Sequence, residues 1–323
     1  MGEFALIDEI RRRCALARPD VVLGIGDDAA LLRVPPDSEL AVSMDTLVAG
    51  VHFPLQTEAF DIGWKALAVN LSDLAAMGAA PAWATLALTL PQADRDWIAA
   101  FCDGFAALAQ PHALALVGGD TTQGPLSITV TVHGFVPAGQ ALRRDGAQPG
   151  DHVLVSGFPG DAAAGLTCVL ASALLRTTAE AERAELLQRL NRPTPRVALG
   201  LALRGLATAA IDVSDGLVQD LGHIATRSSV AAVIEAERLP CSPALAAVGN
   251  AAQRSQWQLF GGDDYELCFT APPAALPAIE AAAMAAGAGV TVIGRIEAGS
   301  GVRVLDADGA EVSLQRGGWE HFA

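Results

Sequence analysis

Residues 23–32 read LGIGDDAALL, and how this stretch is taken decides the fold class. Gly24 and Gly26 would let a backbone approach a pyrophosphate, but Asp27 and Asp28 place two negative charges where that phosphate would lie. A plain dinucleotide-binding turn is therefore a poor reading. A hard cation lying between carboxylate and phosphate is a better one.

The composition points the same way. A chain of 323 residues exceeds the usual size of one core, and 51% of it is apolar, so two domains with packed interiors are expected. Lys plus Arg total 21 against 36 for Asp plus Glu, and the net charge of -15 argues against nucleic acid or an anionic membrane surface as partner. Divalent cations remain attractive. Lys65 is the sole lysine and lies outside any G-x-x-x-x-G-K-[ST] string, which rules out a P-loop. The five cysteines include no C-x-x-C pair and suit a reducing compartment, and the six histidines show no zinc spacing. The start, MGEFALIDEIRRR, does not resemble a secretory signal, and no apolar run has membrane-spanning length, so a soluble, cytoplasmic protein is expected.

Periodicity predicts a helix over 4–16, with Phe4, Ile7, Ile10 and Cys14 on one stripe. Strands follow at DVVLGIG and ELAVSMDTLVAG, with their aspartates expected at strand ends. The run AFDIGWKALAVNLSDLAAMGA reads as a helix that breaks near Asn70 to Asp73 and resumes to Gly78. WATLALTL is a strand, a helix opens at Asp94 or a neighbour, and ALALVGGDTT is a strand running into Gly118, Gly119 and Asp120. LSITVTVHGFVP alternates cleanly and reads as an exposed edge strand. The pattern restarts after AQPGDHVLVSG, giving domains at 1–137 and 138–323. NLSD and DVSD both place Ser-Asp just before a helix, a weak internal echo. Both halves mix strands and helices, so the fold class is α+β or mixed α/β.

Glycine-flanked or hydroxyl-flanked aspartates recur in GDDA, SMDT, NLSD, GGDTT, DVSD and GGDDYE. Each alone suits an Asx-turn or a helix cap. Together, carboxylates converging at strand ends would repel unless a cation lay between them, and oxygen ligands without Cys or His choose a hard ion, of which Mg²⁺ binds one or two carboxylates plus substrate phosphates.

These motifs, in this order and followed by GGWEHF, resemble the thiamine-monophosphate kinase family. That family belongs to an ATP-binding superfamily shared with aminoimidazole ribonucleotide synthetase and selenophosphate synthetase. The resemblance spans nearly the whole chain. It implies a two-domain aminoimidazole-ribonucleotide-synthetase-like fold with mixed sheets packed on helices, and transfer of the γ-phosphoryl of ATP to thiamine monophosphate with several Mg²⁺ ions. On the matching positions it implies Asp28, Ser43, Met44, Asp45, Asp73, Asp120, Asp212 and Asp215 as metal ligands, Met44 through its backbone carbonyl. Asp28, Asp73, Asp120 and Asp212 would carry the chemistry. Gly119, Asp120, Arg144 and Ser214 would meet ATP, and His52, Asp263 and Trp319 the thiamine phosphate. Plainer roles stay open: Arg144 as a solvated charge beside an equally suitable Arg143, His52 at a strand end, Trp319 as packing, Asp263 as a turn cap.

The resemblance also implies a homodimer through N-domain strands. Two rivals remain: another synthetase of the superfamily, and a passive divalent-cation module. Cys14 sits on an apolar helix stripe with no lysine nearby, which speaks against a selenophosphate synthetase. No EF-hand string is present.

Overall fold

The computed structural model describes residues 2–170, 178–312 and 318. It forms two compact units, Met1–Leu74 with Ala79–Gly139, and Ala75–Gly78 with Gln140–Ala323.

The first unit contains, in chain order, α1 (Glu3–Arg13), β1 (Val21–Leu23), β2 (Leu31–Leu32), β3 (Ser38–Val48), α2 (Ala59–Ala76), β4 (Ala80–Leu90), α3 (Arg95–Ala109), β5 (Ala115–Gln123) and β6 (Ser127–Pro137). Strands β1 and β2 pair as a small ribbon, and the larger sheet has the order β3-β6-β4-β5. Alternation separates its faces. Leu86, Leu88, Ile128, Val130 and Val132 are buried, whereas Ala87 is exposed and Thr129 and Thr131 are half-buried on the opposite face. Leu67, Leu71 and Leu74 on α2, at i, i+4 and i+7, are buried, as are Ile98, Phe101 and Phe105 on α3. Each such side chain contributes roughly 1.5–3 kcal/mol on burial. The Asp94 carboxylate opens α3 by accepting from the amides of Asp96 and Trp97.

Four local expectations fail here. Phe4, expected on the apolar stripe of α1, is exposed, and Leu6 is buried instead alongside Ile10 and Cys14. Helix α2 runs unbroken through Asn70 to Asp73, because Asn70 Nδ2 donates to Ala66 O at 3.0 Å and the neighbouring polar groups find partners on β3. Ser72-Asp73 is therefore inside a helix, and the supposed echo with Ser214-Asp215 is not structural. Strand β6 is paired on both sides, with β3 and β4, so it is interior to the sheet, and the edges are β3 and β5.

The second unit contains β7 (His152–Ser156), α4 (Asp161–Leu170), helices Glu180–Asn191 and Val197–Ala202, β8 (Ala209–Val213), helix Leu217–Ser228 and β9 (Ala231–Glu235). Helix Ala251–Phe260, β10 (Glu266–Ala271), helix Leu276–Ala285, β11 (Val290–Glu297) and β12 (Gly301–Leu305) follow. The sheet order is β12-β9-β11-β7-β10-β8, parallel between β9 and β12 and antiparallel elsewhere. Leu217, Leu221, Ile224 and Ala225 line one helical stripe and pack on Val213, Ala232, Ile234 and Val304. This stripe fixes where the helix Leu217–Ser228 begins, and with it the loop that joins it to β8.

Candidate active site

In the first unit, β3 and α2 bring three of the expected residues together. Ser43 Oγ donates to Asp73 Oδ2 at 2.5 Å, and Asp45 N donates to Asn70 Oδ1 at 3.1 Å. Ser43 and Asp45 share a face because strand side chains alternate, and Asn70 and Asp73 share one because they are three apart on a helix. Asp45 thus lies within a strand and Asp73 within a helix, not at strand ends. Met44, on the other face of β3, is 63% exposed.

Asp120 lies inside β5, also not at a strand end. Its row runs through Ala87 and Thr129 to Thr46, whereas Gly119 lies on the row Leu86, Val130, Asp45. Asp120 therefore faces away from the Ser43–Asp45–Asp73 cluster. Gly119 has φ of +155°, and a Cβ there would stand 1.9 Å from Leu86 O, so only glycine fits. Asp28 is exposed, and its amide donates to Asp27 Oδ1 at 2.8 Å in the turn after β1. His52 Nδ1 accepts from Val48 N at 3.0 Å, which leaves the ring proton on Nε2. Lys65, buried, donates to His52 O at 3.3 Å.

In the second unit, Asp212 lies in β8, and Ser214, Asp215 and Asp263 lie in or against the loop that follows it. Asp212, nearly buried, pairs with Leu267 of β10. Asp263 N donates to Ser214 O and Tyr265 N to Val213 O, both at 2.8 Å, so the loop 262–265 is knitted to the loop 213–216. Asp263 and Tyr265 hold φ of 67° and 51°, and Tyr265 Oη donates to Asp263 Oδ1 at 3.0 Å. Asp264 Oδ2 accepts from Gly160 N at 2.8 Å, and Glu266 is clamped by Arg196 and by Ser156 Oγ. Asp220 accepts from three successive amides of the 214–216 stretch; burial nonetheless pushes its pKa up to about 7, the amides pulling against it and the charge of Asp215 adding to it.

Arg143 closes on Asp145 at 2.5 Å, while Arg144 is exposed with its carbonyl held by Ser228 Oγ at 2.9 Å. Trp319 lies outside the described residues. Gly318 is described, and a Cβ on it would be 2.3 Å from Asp215 O, so Gly318 lies against this loop.

Asn70, Asp220 and Tyr265 were not singled out from the sequence. Asn70 reads in sequence as a helix break, and the bonds of Asp220 to the 214–216 amides and of Tyr265 to the Asp263 carboxylate depend on local loop conformations that no motif marks. Among the described residues, no three His, Cys, Asp or Glu side chains gather closely enough to cage an ion. Ser43, Asp45 and Asp73 do offer hydroxyl and carboxylate oxygens. That set fits Mg²⁺, which keeps several waters and takes one or two carboxylates plus substrate phosphates.

Comparison with known proteins places this geometry. Residues 26–136 match the AIR synthase related protein N-terminal domain, and residues 148–307 its C-terminal domain. The thiamine-monophosphate kinase of Escherichia coli K12 is 50% identical over 323 residues, covering 100% of this chain and 98% of that protein. A crystal structure of thiamine-monophosphate kinase from Stenotrophomonas maltophilia K279a shares 57% identity with a TM-score of 0.89, covering 97% of this chain and 98% of the other. The structure of AaThiL complexed with AMPPCP and TMP is 35% identical with a TM-score of 0.78, covering 99% and 97%. The two domain matches, the aspartate-bearing loops and the full-length identity converge, and the chain belongs to the thiamine-monophosphate kinase family, among the AIR synthase related proteins.

Proposed function

We propose that this chain transfers the γ-phosphoryl group of ATP to thiamine monophosphate, producing thiamine diphosphate. The observation that carries this reading is its full-length identity to proteins named thiamine-monophosphate kinase. The likeness to AaThiL complexed with AMPPCP and TMP supports both substrates.

In this reading residues 1–137 form the nucleotide, metal and dimerisation domain, and residues 138–323 form the second domain. Gly119, Asp120, Arg144 and Ser214 bind ATP. His52, Asp263 and Trp319 hold thiamine phosphate: the Asp263 carboxylate pairs with the cationic thiazolium, and an indole face adds about 0.5–2 kcal/mol. Ser43, Asp45 and Asp73 would hold one Mg²⁺, and by the family resemblance Asp28, the Met44 carbonyl, Asp120, Asp212 and Asp215 would serve further ions, Asp120 from the opposite face of its sheet. When bound, magnesium supplies neutralisation of the charge between the ATP β/γ oxygens and the acceptor phosphate.

The chain needs no general base. A phosphate monoester with a second pKa of about 6 is already mostly dianionic at neutral pH. What the residues supply is orientation, holding acceptor oxygen and γ-phosphorus in line for direct transfer without a phosphoenzyme. We further take the chain to act in the cytoplasm as a homodimer.

Turnover of thiamine monophosphate measured against other phosphorylated acceptors tests the substrate. Asp73→Asn should abolish turnover with its circular dichroism unchanged, and near-normal activity would remove Asp73 from the site. A passive cation module, the remaining rival, would bind magnesium equally with and without an ATP analogue in a calorimetric titration.

A further inference from the structure

Asp220 lies in the first turn of the helix Leu217–Ser228 and is 2% exposed. Its carboxylate reaches back past the helix start, where Oδ2 accepts from the amides of Ser214, Asp215 and Gly216 at 3.0, 3.1 and 3.2 Å. Three successive N–H groups aimed at one point form a concavity of the kind that captures anions. Here the anion is the protein's own.

The loop around it is closely packed against neighbouring backbone. A Cβ on Gly262 would be 2.5 Å from Ser214 O, and one on Gly318 would be 2.3 Å from Asp215 O. Gly216 holds φ of 125° with Phe260 backbone 3.0 Å from its Cβ position. Asp263 N donates to the carbonyl of Ser214 while Asp220 takes its amide, so both main-chain groups of Ser214 are engaged.

We propose that Asp220 is a positioning residue: as an internal anion it fills the amide concavity of residues 214–216, and so fixes the directions of Asp212, Ser214, Asp215 and Asp263 toward the reactants. The inference rests on the kinase reading given above and deepens it. With the Ser214 amide and carbonyl engaged, its hydroxyl is the group that meets the nucleotide. The three amides, being occupied, do not serve as a phosphate cradle. Only an acceptor without protons to donate satisfies three N–H groups at one oxygen, which is why an aspartate fits where a water would not.

The test uses the full chain above neutral pH. Asp220→Ala should lower kcat/KM for ATP by about a hundredfold through lost orientation. Asp220→Asn, which keeps a neutral acceptor oxygen, should stay within about tenfold of the parent. Formate, close in size and charge to the deleted group, should restore much of the alanine variant's turnover and leave the parent unaffected. Independently of activity, the backbone amide resonances of Ser214, Asp215 and Gly216 should move in Asp220→Ala and return with formate.

Parental kcat/KM in the alanine variant would overturn the proposal, as would a loss that neither asparagine nor formate relieves. If the alanine variant does not fold, Asp220→Asn decides, because amide resonances at 214–216 coincident with the parent's would also overturn it. Should the parent make no thiamine diphosphate, the kinase reading fails, and these resonances still decide whether Asp220 holds the loop.

Discussion

Asp161, at the start of α4, is 1% exposed. Ser242 Oγ donates to its Oδ1 at 2.7 Å, and Arg189 stands 4.0 Å from its Oδ2. Burial raises its pKa from 3.8 to about 6, against the pull of Ser242 and Arg189. The folded chain therefore keeps this proton to higher pH than the unfolded chain does. Its contribution to stability is fully present below 3.8 and is lost as pH rises through about 6. Asp161→Asn keeps an acceptor for Ser242 and removes the buried charge. It should stabilise the protein at neutral pH by up to ~3 kcal/mol. The gain should vanish below about pH 4, and urea midpoints at the two pH values check it. No motif marked Asp161, because its strain is a property of packing. GGDDYE did mark Asp263, yet the tyrosine that bonds it was passed over, since the left-handed turn that brings Oη to Oδ1 is a tertiary outcome.

Among elements, apolar spacing carried most of what was legible. The burial of Ile10 and Cys14 on the first helical stripe, the alternation of β6 and the Asp94 cap all appear in place, because they are fixed by local spacing. What was not legible depended on neighbours far along the chain. Asn70 looks like a helix breaker until β3 supplies the Asp45 amide as its partner, and β6 looks like an edge until β3 and β4 flank it. Ser43, Asp45 and Asp73 were named through the family resemblance, and the β3–α2 pairing brings them together. Asn70→Ala would leave the Asp45 amide without this acceptor and should cost about 1–3 kcal/mol. Denaturant unfolding measures it, and an unchanged midpoint would show that this bond does not secure β3 to α2.

For the whole molecule, the proposed homodimer would pair through a different strand from the one expected from sequence. Strand β6 is interior, whereas β3 is an edge and leaves Leu40, Val42 and Met44 at 42%, 56% and 63% exposure. An open edge lined with apolar side chains is the natural place for a second copy to pair. Val42→Glu should therefore halve the mass seen by sedimentation, and an unaltered dimer would move the interface elsewhere. None of the described helices is long and apolar enough to cross a membrane. The proposed phosphoryl transfer is tested most directly by following phosphorus. Incubated with magnesium, thiamine monophosphate and ATP labelled in its γ-phosphoryl group, the protein should release ADP and thiamine diphosphate in equal amounts, with the label in the terminal phosphoryl of thiamine diphosphate. ATP consumed without labelled thiamine diphosphate, or no turnover at all, would contradict the account.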